Sequence, residues 1–104
     1  MLTHLSTKIS KNKFKSIMDK YKNKIRLSPH AADKLSEGQR NIYKSESLMQ
    51  ILTQDTPTLV GRQNNGRYSA FYSRKDGYLR IIFSTNRNLR IITFYITRKL
   101  PKIK

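Results

Sequence analysis

Four side chains of this sequence, His30, Arg80, Thr93 and Tyr95, have the types and the spacing to handle a phosphodiester. His30 follows Ser28-Pro29, a capping hydroxyl and a first-turn proline, and so falls in the first turn of a helix. Its imidazole titrates near neutrality, so it can take and return a proton at physiological pH. A helix N-terminus disfavours the imidazolium form, which suits a base. Arg80 brings a planar fork that binds phosphate through paired hydrogen bonds. Thr93 adds a hydroxyl, and Tyr95 adds a phenol whose ring can stack on an unpaired base. His4, in the leader, is read as incidental.

Three of the four must be brought together by strands. Beyond Pro57 the apolar pattern alternates, and Asn65-Gly66 and Asp76-Gly77 are strong two-residue hairpin signals. Strands are predicted at about 58–64, 67–74, 78–84 and 89–97, with a loop at Thr85–Asn88. Two-residue turns fix register. They set Arg62 opposite Ser69, Ser73 opposite Arg80 and Phe71 opposite Ile82. A four-residue last loop sets Ile82 opposite Ile91, Arg80 opposite Thr93 and Tyr78 opposite Tyr95.

Alternate residues then sort into two faces. Tyr68, Ala70, Tyr72, Leu79, Ile81, Phe83, Ile92, Phe94 and Ile96 form the core face. Arg62, Arg67, Ser69, Tyr78, Arg80, Thr93, Tyr95 and Thr97 form the other, which is cationic, hydroxyl-bearing and aromatic at once. An antiparallel sheet ordinarily turns one polar face to water, so a single arginine there says little. The cluster of Arg80, Thr93 and Tyr95 says more.

Helices precede the sheet. Phe14, Ile17, Met18 and Tyr21 recur at helical spacing between Lys11 and Lys24, with lysines opposite. A second helix runs from Pro29 to about Gly38 with Ala31, Ala32 and Leu35 inward, and a third is capped by Ser45 or Ser47 and carries Leu48, Met49, Ile51 and Leu52. The expected fold class is α+β: N-terminal helices packed on one face of a four-stranded antiparallel meander sheet. Residues 1–10 are expected as a flexible leader and 11–104 as one domain, with a basic, frayed tail from Arg98.

Charge narrows the partner. Lys and Arg number 22 against 6 Asp and Glu, a formal charge of +16. Such imbalance strains a compact state and normally serves a polyanion, and phosphate backbones are the commonest. The basic residues run along the whole chain rather than along one amphipathic helix, and no apolar run approaches the roughly 18 residues of a membrane span, so no membrane partner is expected. The absence of cysteine excludes disulfides, thiolate metal sites and a cysteine nucleophile. The acids (Asp19, Asp33, Glu37, Glu46, Asp55, Asp76) are scattered, whereas two-metal nucleases cluster theirs; neither metal nor cofactor is expected.

The helix opening Ser28-Pro29-His30-Ala31-Ala32-Asp33-Lys34-Leu35, the strand Leu79-Arg80-Ile81-Ile82 and the closing strand Ile91-Ile92-Thr93-Phe94-Tyr95 occur in an order with a known counterpart. Over roughly residues 26–97 it resembles the small ribonuclease toxins of the barnase, EndoU, colicin and RelE superfamily, including toxin domains that end contact-dependent inhibition proteins. Many relatives read His-Ala-x-x-Arg-Met and then Arg-Gly-Ile, where this chain has Lys34-Leu35 and Gln39-Arg40-Asn41-Ile42.

The resemblance implies metal-independent cleavage of RNA, tRNA or mRNA, by 2′-hydroxyl attack that leaves a 2′,3′-cyclic phosphate. It implies His30 as acid or base, Arg80 as phosphate clamp, Thr93 as a phosphate-positioning donor and Tyr95 as a stacking or proton-transfer group. Arg62, Arg67, Lys34 and Tyr78 would bind RNA around them. It also implies an acidic antitoxin or immunity protein as partner, and action in the bacterial cytoplasm, whether made there or delivered from another cell. Two other readings stay open on the residues alone: a non-catalytic RNA- or DNA-binding module, and a ParE-like toxin acting on a protein target.

Overall fold

The computed structural model describes residues 5–37 and 45–101. Its elements run β1 (Leu5–Lys8), α1 (Lys11–Tyr21), β2 (Ile25–Leu27), α2 (Pro29–Glu37), α3 (Ser45–Gln54), β3 (Leu59–Gln63), β4 (Tyr68–Arg74), β5 (Gly77–Thr85) and β6 (Leu89–Thr97). The α+β class holds, but the sheet is not a four-stranded antiparallel meander. It has six strands in the order β1-β3-β4-β5-β6-β2. β3 to β6 are the expected meander; β1 joins antiparallel to β3, and β2 joins parallel to β6.

Both added strands are too short to show a period. Leu5–Lys8, inside the segment expected as a flexible leader, carries one buried residue, Leu5. Ile25–Leu27 lies just after a first helix that stops at Tyr21 rather than Lys24. Lys24 N–H donates to the Tyr21 carbonyl at 2.7 Å, and the Tyr21 hydroxyl donates to the Asn86 carbonyl at 2.9 Å. The helix end is thereby tied to the β5–β6 loop, and the chain leaves extended along β6.

All three helices share one face of the sheet. Phe14 and Met18 from α1, Ala31 from α2 and Leu48 and Leu52 from α3 join Val60, Tyr68, Ala70, Tyr72, Leu79, Ile81, Phe83 and Phe94 in one buried cluster. Burying that apolar surface is the main force holding helices to sheet. Ile96, expected inward, is 49% exposed at the end of β6. Ser10 caps α1 by accepting from Lys13 N–H at 3.1 Å. Leu35 and the segment about Gly38 lie outside the described side chains.

The hairpins depart from two-residue geometry in a way that decides the faces. Between β3 and β4 the loop is Asn64-Asn65-Gly66, closed by Gln63 N–H to the Arg67 carbonyl at 2.7 Å, with Gly66 at φ 84°. A three-residue loop with glycine in the left-handed position is the next commonest hairpin after the two-residue ones. The one-residue difference sets Gly61 opposite Ser69 and Arg62 opposite Tyr68, so Arg62 moves to the helix-facing side. Between β4 and β5 the turn is Lys75-Asp76, because Arg74 pairs with Gly77. That shift is two residues, so the faces survive: Phe71 sits opposite Arg80, and Ser73 opposite Tyr78.

Between β5 and β6, Thr85 pairs with Leu89, leaving Asn86–Asn88 as the loop, and a bulge follows between Ile82 and Phe83. Ile92 is the extra residue: Phe83 pairs with Ile91, and Ile82 with Thr93. Leu89 and Ile91 are therefore the buried residues of that stretch, and Ile92, expected in the core, is only partly buried.

Candidate nucleic-acid interface

On the sheet face away from the helices, Arg80 pairs with Tyr95, Ile82 with Thr93 and Tyr78 with Thr97. The expected pairs were Arg80 with Thr93 and Tyr78 with Tyr95; the loop and the bulge each move β6 by one residue. Two such slips restore the original side, so Arg80, Thr93 and Tyr95 share this face after all.

Arg80 is held from three directions. Its Nε–H donates to Ser69 Oγ at 3.2 Å, and Gln63 Nε2 donates to the same oxygen at 2.8 Å. The Phe71 ring centroid lies 5.0 Å from the guanidinium carbon and the Tyr95 centroid 5.7 Å, both within cation–π range. Tyr95 also bonds the guanidinium through its side chain. Arg80 is only 2% exposed, and Ser69, Phe71, Gln63 and Leu5 are buried too, so this face is not the plain solvated surface that alternation alone suggests. Burial pushes the guanidinium below its ordinary pKa, and the Tyr95 phenol opposes that by charge and hydrogen bond.

Thr93 contributes a different kind of signal. Its Oγ1 is buried and has no hydrogen-bond partner among the described residues. An unpaired buried hydroxyl costs on the order of 1–3 kcal/mol, and such groups in folded proteins call for an explanation. Tyr78 is partly buried in the next row, opposite Ser73, whose hydroxyl meets Thr58 Oγ1 at 2.7 Å.

His30 is not joined to this set. It is exposed, and among the described residues it has no hydrogen bond or ion pair. Its helix start is nevertheless pinned to β6. Ser28 N–H donates to the Ile91 carbonyl at 2.8 Å, and Ser28 Oγ donates to the Ile92 carbonyl at 2.6 Å while accepting from Ala31 N–H at 3.1 Å. Ile92 immediately precedes Thr93. Two residues of chain span about 7 Å at most, so the His30 backbone stands beside the β6 edge close to the level of Thr93.

The remaining sequence candidates scatter. Arg62 is exposed on the helix-facing side, with its guanidinium carbon 5.6 Å from the Tyr68 ring centroid. Arg67 is exposed at the β3–β4 turn. Lys34 lies in α2, and its side chain is outside what is described.

Two arginines that sequence reading passed over lie on the same sheet face. Arg26 and Arg90 are register partners across β2 and β6, and Ser84 pairs with Arg90. Their neighbours Ile25, Leu27, Leu89 and Ile91 all pack on the helix-side core, which turns both arginines to the Arg80 face. The signal was present as an apolar-Arg-apolar triplet in each strand, but Ile25–Leu27 was not recognised as a strand. Among the described residues no group of three or more His, Asp or Glu side chains is placed to hold a metal, and no helix is long and apolar enough to cross a membrane. No known protein family, curated protein or solved structure matches this chain.

Proposed function

We propose that this chain is an endoribonuclease that cuts RNA without a metal, working on the sheet face that carries Arg80, Thr93 and Tyr95. The observation that carries the reading is the unpaired buried Thr93 hydroxyl one strand from a guanidinium wedged between Phe71 and Tyr95. A phosphate oxygen would complete both groups, accepting from Thr93 and from the guanidinium. With Arg80 at 2% exposure, a phosphate reaches it only when the groups over it give way, and the partly buried Tyr95 ring is one of them.

In the reaction a base takes the proton of a ribose 2′-hydroxyl, the oxygen attacks the adjacent phosphorus, and the bond to the 5′-oxygen breaks. The leaving oxygen receives a proton, giving a 2′,3′-cyclic phosphate and a 5′-hydroxyl. Arg80 and Thr93 stabilise the charge that grows on the phosphate. Tyr95 stands beside it as the nearest group able to pass a proton. His30, exposed at the β6 edge, serves as the base once RNA bridges the gap. The scattered carboxylates and the resemblance to ribonuclease toxins support a metal-free route. The charge of +16 likewise supports an acidic inhibitor protein, and the resemblance supports action in a bacterial cytoplasm.

A non-catalytic RNA- or DNA-binding module is the competing reading, favoured by the isolation of His30. One experiment separates them. Purified protein incubated with mixed RNA and a chelator should give discrete fragments ending in cyclic phosphate, and His30→Ala should lose turnover with little loss of binding. Intact RNA in the presence of folded protein sinks the nuclease reading and leaves the binder.

A further inference from the structure

Four residues along β5 from Arg80, the same sheet face opens into a second basic feature. Arg26, Arg87 and Arg90, with Ser84, Asn86 and Asn88, line a shallow depression of about 630 Å³. At about 3.3 Å per strand residue, it begins roughly 13 Å from Arg80.

The depression is built at a cost. Arg26 and Arg90 are directly opposite each other in adjacent strands, where like charges repel. Both are exposed, as is Arg87, and among the described residues none of the three has an ion-pair partner. Among the described residues no acidic side chain lines the depression. Its frame is fixed: Tyr21 donates to the Asn86 carbonyl at 2.9 Å, Asn86 N–H bonds the Asn88 carbonyl at 3.0 Å, and Leu89 N–H bonds the Lys24 carbonyl at 2.9 Å. Three cations held together with no counter-charge, beside amide and hydroxyl side chains, suit phosphate oxygens and sugar hydroxyls and offer no aromatic platform for a base.

We infer that Arg26, Arg87 and Arg90 form a backbone-binding subsite that holds the phosphates of a single-stranded RNA one or two nucleotides away from the phosphate at Arg80. This rests on the proposed RNA-directed function, and it adds a direction: the strand runs along β5 and β6, from the Arg80 row toward the β5–β6 loop. Contacts of this kind fix register and affinity without reading sequence.

The test is the salt dependence of binding to a mixed-sequence single-stranded RNA dodecamer in chelator, followed by fluorescence anisotropy. Each phosphate contact on a single strand contributes about 0.7 to the slope of log K against log salt, so Arg26→Gln/Arg87→Gln/Arg90→Gln should lower it by about 2. Arg90→Gln alone should lower it by about 0.7 and guards against any fold defect in the triple variant. Lys11→Gln/Lys15→Gln/Lys20→Gln, on the exposed side of α1, removes the same charge elsewhere and should leave the slope nearly unchanged. An equal fall in both triple variants, or none in the arginine variants, overturns the subsite. Tight binding with the expected slopes but no cleavage overturns the nuclease reading and leaves the subsite standing. Cleavage with unaltered slopes does the reverse.

Discussion

Arg80 and Tyr95 are direct cross-strand partners, with the phenol ring 5.7 Å from the guanidinium carbon and its side chain bonded to that cation. The pair joins two effects. The ring face attracts the cation, and the phenol's charge and hydrogen bond favour the charged guanidinium against the cost of burying it. Tyr95→Phe separates them, because it keeps the ring and deletes the oxygen. If the phenol passes a proton, Tyr95→Phe should lower RNA cleavage by roughly 10²–10⁴ while the fold melts within a few degrees of the parent. Wild-type turnover in Tyr95→Phe would reduce Tyr95 to a stacking wall.

Thr93→Val should move stability and activity in opposite directions. Valine keeps the branched shape and removes a buried hydroxyl that has no partner in the free protein. Without RNA, urea unfolding should show a gain of about 1 kcal/mol, since the desolvation cost disappears. RNA cleavage should fall, because the phosphate loses its donor. A loss of stability on this substitution would mean that the hydroxyl is satisfied and aimed elsewhere, and the phosphate-positioning role would go with it. A functional site that costs stability is a common trade in proteins.

Tyr72 supplies the contrast. Its hydroxyl is also buried and, among the described residues, without a hydrogen-bond partner, but it lies on the helix-facing side of β4, within the core. Burial raises its pKa far above the ordinary phenol value; the Asp55 charge adds to the rise and Arg74 opposes it. A group whose folded pKa lies above its unfolded pKa contributes full stability below the unfolded value and loses it as pH climbs. The unfolded phenol titrates near 10, so stability should decline from about pH 10 upward as the unfolded state releases a proton that the folded state keeps. Tyr72→Phe should flatten that decline, and its cleavage rate at pH 7 should match the parent. Unfolding curves collected between pH 8 and pH 11 measure the first, and an RNA assay measures the second.

The order of these elements was legible because the signals were local. Ser28-Pro29 marks the start of α2, and the shift to alternating residues after Pro57 marks the sheet. Register was not legible, because it depends on single residues in turns. Asn65-Gly66 reads as a two-residue turn but serves a three-residue loop, and that one position carries Arg62 to the wrong side. At β6 two such errors, a shorter loop and a bulge at Ile92, cancel for Thr93 and Tyr95 and do not cancel for Ile91. Arg80, Thr93 and Tyr95 thus share a face although the expected pairings were off by two. Burial of Arg80 was invisible for another reason: it depends on which groups close over the guanidinium, and Ser69, Phe71 and Tyr95 meet it only through the register that the sequence does not show.

Gly77, the first residue of β5, is where the β4–β5 hairpin admits no side chain. It sits at φ 150°, and a Cβ there would run into the carbonyl oxygen of Thr97. Gly77→Ala therefore strains the backbone and pushes on the end of β6, two residues beyond Tyr95. The expected cost is about 1–3 kcal/mol, read as a lower urea midpoint with an unchanged slope. Hydrogen exchange should quicken at the Tyr78–Thr97 end of the β5–β6 pairing before it does at the Thr85–Leu89 end. Uniform quickening would mean that the hairpin opens only with the whole sheet.

Ser28 tests whether His30 is functional without touching His30. The hydroxyl caps α2 through Ala31 N–H and ties it to β6 through the Ile92 carbonyl. Ser28→Ala removes both bonds and should cost about 1–2 kcal/mol, mostly as a lost cap. Ser28→Thr keeps a hydroxyl and should recover most of that stability. The informative quantity is cleavage at a temperature where every variant is fully folded. If His30 is the base, loosening its helix from the strand that carries Thr93 should lower kcat more than it raises KM, with Ser28→Thr intermediate. A cap that serves only the fold would leave kcat where it was, and the proton would then have to be taken by a group on the sheet face itself, with Tyr95 the first to examine.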